Sequence, residues 1–460
     1  MSRLDVGHGF DVRRGSRPEP RSSADAATMK ATRIQLFSFR PPHMRAFHMS
    51  WFAFFLCFFA WFGIAPLMAV VRDELNLTQA QIGNMVIASV AVTIVARLLI
   101  GWLCDRLGPR LTYTWLLIVG SLPVMGIGLA HSYETFLLFR LAIGAIGASF
   151  VITQYHSSVM FAPSVVGTAN ATTAGWGNLG GGVTQIVMPL LFTALVAMGL
   201  SDFWSWRLAM MMSGLVCLGA GVAYYLLTQD APEGNYRDLV RDTGRPRARA
   251  GSFREASSDP RVWALFLIYG ACFGVELTIN NIAALYFADY FELGLRTAGL
   301  VAGLFGLMNI FARTLGGLIG DRCGLRWGLR GRVAWLGVAL AGEGLMLMFF
   351  SQMTVLGAAI AALIVFSLFV QMSEGATFSV VPFVNPGALG SVAGIVGAGG
   401  NFGAVFAGFL FRTDSLSWPQ ALLILGALVT VSAGLTAFVR FSDAAEAAAR
   451  QELATAPEAA

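Results

Sequence analysis

The sequence predicts an all-α membrane protein of twelve transmembrane helices arranged as two related six-helix bundles. Three observations predict it. Of 460 residues, 56% are hydrophobic and 12% charged, with mean hydropathy +0.67, against roughly 25% charged residues in soluble domains. Apolar runs of about 20 residues, the length that crosses a ~30 Å hydrocarbon core, recur along the chain. A polar interval at 229–260 divides these runs into six and six, and one motif occurs once on either side of it.

Residues 1–48 form a polar N-terminal tail. They hold Arg3, Arg13, Arg14, Arg17, Arg21, Lys30, Arg33, Arg40 and Arg45 but no apolar core of a cleavable signal, so the first span acts as its own insertion signal. Asp5, Asp11, Glu19 and Asp25 argue against an organellar transit sequence, in which acids are scarce, and Met29 is a candidate start. The N-terminal bundle, 49–228, takes spans near 50–70, 81–103, 112–130, 135–157, 168–198 and 206–228. Residues 229–260 combine Pro, Gly and the basic cluster from Arg237 to Arg261, the composition of a linker. The C-terminal bundle, 261–440, takes spans near 262–288, 297–320, 332–350, 354–381, 388–411 and 418–440, and 441–460 is a solvated tail rich in Ala and Glu. Arg106, Arg110, Arg322, Arg326, Arg330 and Arg332 fall in loops on the side of the linker. The positive-inside rule therefore places both termini in the cytoplasm, for a multi-pass protein of the plasma or inner membrane.

The five cysteines, Cys57, Cys104, Cys217, Cys272 and Cys323, lack paired spacing and read as small core residues. With no metal-ligand cluster and no nucleophile–base constellation, neither a metal, another cofactor nor enzymatic activity is expected. The net charge of +5 is accounted for by topology and gives no reason to expect a nucleic-acid partner.

The most specific internal signal spans the linker. Ala96-Arg97-x-Leu99-x-Gly101-x-x-x-Asp105-Arg106-x-Gly108 matches Ala312-Arg313-x-Leu315-x-Gly317-x-x-x-Asp321-Arg322-x-Gly324 position for position. Both copies close the second span of a bundle, which makes the halves parallel repeats around a central path. The motif GxxxDRxGxR, at Gly101–Arg110 and again at Gly317–Arg326, resembles the loop signature of the major facilitator superfamily, whose fold is two such six-helix bundles.

Eight residues at 1.5 Å rise carry Arg97 and Arg313 about 12 Å in from that loop, near the bilayer midplane. An intramembrane arginine is costly, at ~2.5 kcal/mol or more, so its default reading is functional and facing a cavity. The competing reading is a structural ion pair with Glu276 or Glu374. Two guanidinium forks suit a small oxyanion held by paired hydrogen bonds. Phosphate esters, carboxylates, nitrate and nitrite all satisfy that requirement. The stretch Ala174–Gln185, AGWGNLGGGVTQ, and its echo Gly397–Gly408, GAGGNFGAVFAG, add glycines and the uncharged Asn178 and Asn401, which favours a compact monovalent anion. Gly at this density lets helix backbones approach closely or leaves room for a solute.

Those two stretches also resemble the paired signatures of the nitrate/nitrite porter family. The segments FRPPHMRAFHMSWFAFF, VVGTANATTAGWGNLGGGVTQ and EGATFSVVPF look like its plant-type and algal high-affinity members, over about residues 36 to 440. The resemblance implies that Arg97 and Arg313 clamp nitrate, that Asn178 and Asn401 with Gly175, Gly177 and Gly400 line the site, and that Phe150, Tyr269 and Phe273 stack on the planar anion. Trp176 reads as helix packing.

Nitrate carries no proton, and the membrane potential opposes its entry by about 2.3 kcal/mol per 100 mV. Uphill uptake then needs a protonatable side chain or a counter-anion. Glu276, in GVELTINN, is the candidate proton carrier, with Glu343 and Glu374 as further buried acids and His156 a weaker choice. The resemblance implies proton symport; nitrate/nitrite exchange and carriage of another small oxyanion are the alternatives, and a sensor role has no signalling domain to support it. The expected partners are nitrate, nitrite, protons and the lipid bilayer, with an accessory protein left open.

Overall fold

The computed structural model describes residues 30–161, 166–238, 252–385, 389–413 and 415–447. The tail before residue 30, with Met29, the linker core 239–251 and the last residues from 448 on lie outside these, as do the side chains of Asp105, Arg106 and Asp321. Among the described residues twelve helices are long and apolar enough to cross a membrane: α1 Pro42–Leu75, α2 Gln79–Gly101, α3 Pro109–Leu129, α4 Tyr133–Met160, α5 Ala169–Ala197, α6 Asp202–Leu227, α7 Pro260–Tyr290, α8 Leu295–Gly324, α9 Leu329–Ser351, α10 Leu356–Val380, α11 Gly394–Arg412 and α12 Trp418–Phe438. Among the described residues the only extended pairing is two isolated bridges, Ala31 with Phe161 and Ala231 with Gly234.

Helix α1 begins at Pro42 rather than near residue 50. A Pro in the first turn needs no hydrogen-bond partner for its nitrogen and presets φ for the helix. The added turns bury Met44, Ala46 and Phe47, with Phe47 edge-on to Phe161 and Trp176. Two helices carry a 3₁₀ turn at mid-span, Ala145–Ala148 in α4 and Met308–Ile310 in α8. The second of these sets Asn309 and Arg313 on successive turns of one face.

The halves meet along two antiparallel seams. On one, α2 packs on α11: Gly83 faces Arg412, Gly408 faces Ile87, and the Asn401 amide donates to the Val90 carbonyl at 3.4 Å. On the other, α5 packs on α8: Gly299 faces Gln185, Gly303 faces Ile186, and Gly182 and Gly306 abut. Because each half supplies one glycine-rich helix to a seam with the other, the repeat in sequence becomes a two-fold arrangement in space. At the side away from the termini the halves are joined by the Arg72–Asp289 ion pair at 2.5 Å, and Gln79 donates to the carbonyls of Thr413 and Leu416 at 3.4 and 3.1 Å.

At the terminal side, each half caps its third helix with a distant acid. Asp230 accepts from the backbone N–H groups of Arg110 and Tyr236 at 2.8 and 3.0 Å, and Glu446 accepts from those of Leu329 and Arg330 at 2.9 and 3.0 Å. Both acids complement the positive end of a helix. The turns before them use Gly108 at φ 84° and Gly328 at φ 73°, where a side chain would be strained. Gly324, the sequence counterpart of Gly108, lies inside a helix that runs to Trp327, so the second half makes its turn four residues later. Replacing Asp230 with Ala leaves two backbone donors unmatched and should cost about 1–3 kcal/mol of stability, read as a lower Tm of the purified protein in detergent.

Candidate substrate site

The site lies where the two seams pass mid-span, between α2 and α8. Arg97 and Arg313 are 4% and 5% exposed, one from each half, and close enough to repel one another. Their surroundings differ. The Arg97 guanidinium stands 5.5 Å from the ring centres of both Phe150 and Phe273, within cation–π range. Its Nη1 donates to the Gly397 carbonyl oxygen, while Nε and Nη2 have no hydrogen-bond partner. Among the described residues no carboxylate lies within ion-pairing distance of it. Arg313 donates through Nη2 to the Tyr269 hydroxyl at 2.9 Å, and its Nη1 lies 2.7 Å from Glu374 Oε2. That second contact is an ion pair without hydrogen-bond alignment.

Aromatic rings surround the arginines. Tyr269 and Phe273, four residues apart on α7, stack at 5.1 Å and 11°. Phe378 of α10 meets Tyr269 edge-on at 5.1 Å and Phe150 edge-on at 6.1 Å, which carries the ring cluster across both halves. Flat faces lie beside two forks of planar donors, an arrangement that accepts a flat anion with oxygens in its plane.

Beside the arginines lies a carboxyl cluster. Glu276 Oε1 accepts from the Asn309 amide at 2.9 Å, and Oε2 accepts from the Asn178 amide at 3.3 Å, so a carboxyl of the second half is held partly by the first. Glu374 lies close enough to Glu276 for the two carboxyls to influence one another electrostatically, and Glu343 accepts from the Ser373 hydroxyl at 2.5 Å nearby.

The profile of the major facilitator superfamily matches residues 50–408. "High affinity nitrate transporter 2.5" of Arabidopsis thaliana is 42% identical over 411 residues, which are 89% of this chain and 82% of that protein. "Nitrate transporter 2.2" of Chlamydomonas reinhardtii is 38% identical, over 85% of this chain and 77% of that protein. The chain belongs to the nitrate/nitrite porter family of the major facilitator superfamily. It is a transporter and not an enzyme. A solved bacterial homologue of the human lysosomal transporter Spinster, in an inward-facing and occupied conformation, shares the fold at TM-score 0.67 with 17% identity, over 88% of this chain and all of that one.

In this porter Arg97, Arg313, Phe150, Tyr269 and Phe273 converge on one place. Asn178 turns its amide toward Glu276, and Asn401 donates to α2; the Oδ1 of each has no partner. The glycines meet helices: a side chain at Gly177 would strike Phe54, one at Gly400 would strike Phe273, and one at Gly175 would press on the Asn309 carbonyl at 3.1 Å. Trp176 packs edge-on against Phe47 and Trp51. His156 is tied to the Tyr224 hydroxyl and the Gln229 carbonyl, away from the carboxyls. Asn309 and Phe378 also belong to the site. Sequence held a signal for both, since Asn309 sits one turn before Arg313 and Phe378 one turn after Glu374, each pair sharing a helix face.

Proposed function

We propose that this porter carries nitrate, and nitrite as a second substrate, by alternating access, and couples uptake to protons. The observation that carries the reading is the unequal pair of arginines. Arg97 offers unmatched planar donors beside two aromatic faces, and Arg313 offers a second fork from the other half. Unmatched buried donors are costly, and a planar oxyanion between the forks satisfies them. The names of the relatives support the same substrate class. Asn178 and Asn401 supply neutral amides at the edges, and the glycines let α5 and α11 rock on their seams.

The distribution of arginines orients the porter with both termini in the cytoplasm. With the potential negative inside, one co-transported proton makes nitrate entry electrically neutral and a second makes it favourable, by about 2.3 kcal/mol per 100 mV. Glu276 is the candidate for coupling because its carboxyl is wholly buried and touches both halves. Glu276→Gln should lower proton-driven net uptake about tenfold, within the usual range of coupling energies, while nitrate-for-nitrate exchange continues. Equal losses in both assays would remove Glu276 from the coupling step.

The deciding experiment reconstitutes the purified protein in liposomes that report internal pH and nitrate together. Nitrate-driven internal acidification is the expected result. Uptake that requires nitrite on the opposite side and moves no protons would replace symport with exchange.

A further inference from the structure

We propose that nitrate and the Glu374 carboxylate compete for Arg313, and that Glu374, once displaced, takes up the proton that travels with the anion. The proposal rests on the nitrate reading above and names Glu374 as the first acceptor of the proton, with Glu276 as its hydrogen-bonding partner in the coupling step.

The two arginines are related by the repeat, yet only one has an acid. Arg313 Nη1 lies 2.7 Å from Glu374 Oε2, with Glu374 fully buried, whereas Arg97 has no carboxylate within ion-pairing distance among the described residues. Neither Glu374 oxygen receives an aligned hydrogen bond, so its negative charge is balanced by the Arg313 guanidinium alone. Glu276 and Glu343 are supported differently. Both oxygens of Glu276 accept from amides, of Asn309 and Asn178, and Glu343 accepts at one oxygen from Ser373 while its Oε1 has no partner; neither acid pairs with an arginine among the described residues. An incoming anion can take the place of a carboxylate on an arginine, but it cannot replace amide or hydroxyl donors. Of the three acids, Glu374 is the one whose support an incoming anion removes.

Every packed element contributes to the surroundings of Glu374. Helix α7 brings Glu276, Tyr269 and Cys272, α8 brings Arg313, and α9 brings Glu343. Arg97 from α2 acts through Tyr269. Fully ionised, three carboxyls face two guanidinium groups, and nitrate adds a further negative charge. An unpaired charge buried here would be strongly unfavourable, so the anion enters with a compensating proton. The step is a simple protonation: nitrate takes the Arg313 donor that faced Glu374, the Glu374 carboxylate takes one proton from the aqueous phase that delivers the anion, and its new O–H donates to Glu276. When nitrate leaves, Arg313 recovers Glu374 and the proton is released to the same side as the anion.

The test measures protons during binding rather than transport. Sodium nitrate is added to the purified full-length protein in weakly buffered detergent solution with a pH-indicating dye, and nitrate affinity is measured across a pH series. The expected result is uptake of about one proton per bound nitrate, with Kd rising about tenfold per pH unit over the range of that uptake. Glu374→Gln should bind nitrate with an affinity that no longer varies with pH and should take up no proton, while Glu374→Asp, which keeps a carboxyl, should retain the uptake. Nitrate binding by the parent protein without proton uptake overturns the proposal, as does unchanged uptake in Glu374→Gln. If the Gln variant does not fold, the pH slope of the parent and the Asp variant decide it alone. Absence of nitrate binding by the folded parent protein would instead defeat the substrate reading, and this proposal with it.

Discussion

In proteoliposomes, Arg97→Lys and Arg313→Lys are each expected to take up nitrate about 100-fold more slowly than the parent protein, at equal amounts of reconstituted protein. The charge survives the substitution but the planar fork does not. At Arg97 one end of the guanidinium is engaged by the Gly397 carbonyl and its face by Phe150 and Phe273, which leaves the remaining donors at fixed angles. An ammonium on a flexible stem cannot meet the carbonyl, the rings and the anion at once. At Arg313 the same substitution forces a choice between Tyr269 and Glu374, which the two Nη atoms now serve separately. Misplacement of about 1 Å is enough to cost about 100-fold in rate. Parental uptake by either variant would remove that arginine from the clamp.

Gly403→Ala should destabilise the protein by about 1–3 kcal/mol or more, to be read as a fall in Tm and in the fraction recovered folded from detergent. A Cβ at Gly403 would overlap the backbone carbonyl of Gly270, so α7 and α11 would have to separate along their most extensive contact. Backbone cannot turn aside as a side chain can. Gly219→Ala in α6 provides the comparison: it adds a methyl where nothing lies within 4 Å, and helix propensity favours it by roughly 1 kcal/mol. Equal Tm values for the two variants would show that α7 and α11 tolerate separation.

These two substitutions also divide what could be read without coordinates from what could not. The paired arginines were legible because charge inside an apolar run is rare and the repeat placed both at equal depth. The twelve spans were legible for the same reason, since in lipid each helix must satisfy its own backbone and hydropathy alone marks it. The start of α1 was displaced because Met44, Ala46 and Phe47 pack with Phe161 and Trp176, partners distant in sequence. The turn at Gly328 was displaced because the last turns of α8 continue past the matching glycine.

The glycine stretches show the limit most clearly. Ala174–Gln185 and Gly397–Gly408 were equally compatible with close helix contact and with space for a solute, because glycine serves both by the same absence of a side chain. In the fold, Gly180, Gly182, Gly399 and Gly403 touch the backbones of α1, α8 or α7, while a side chain at Gly397 would meet Arg97 Nη1 at 3.5 Å. The sequence by itself determined the class, the spans and the two-fold repeat, since these depend on composition and period. Only the tertiary structure decided that Glu374 pairs with Arg313 and that, among the described residues, Arg97 has no acid within ion-pairing distance. Ion pairing depends on which faces of α8 and α10 meet, and no periodicity within either helix specifies its neighbour.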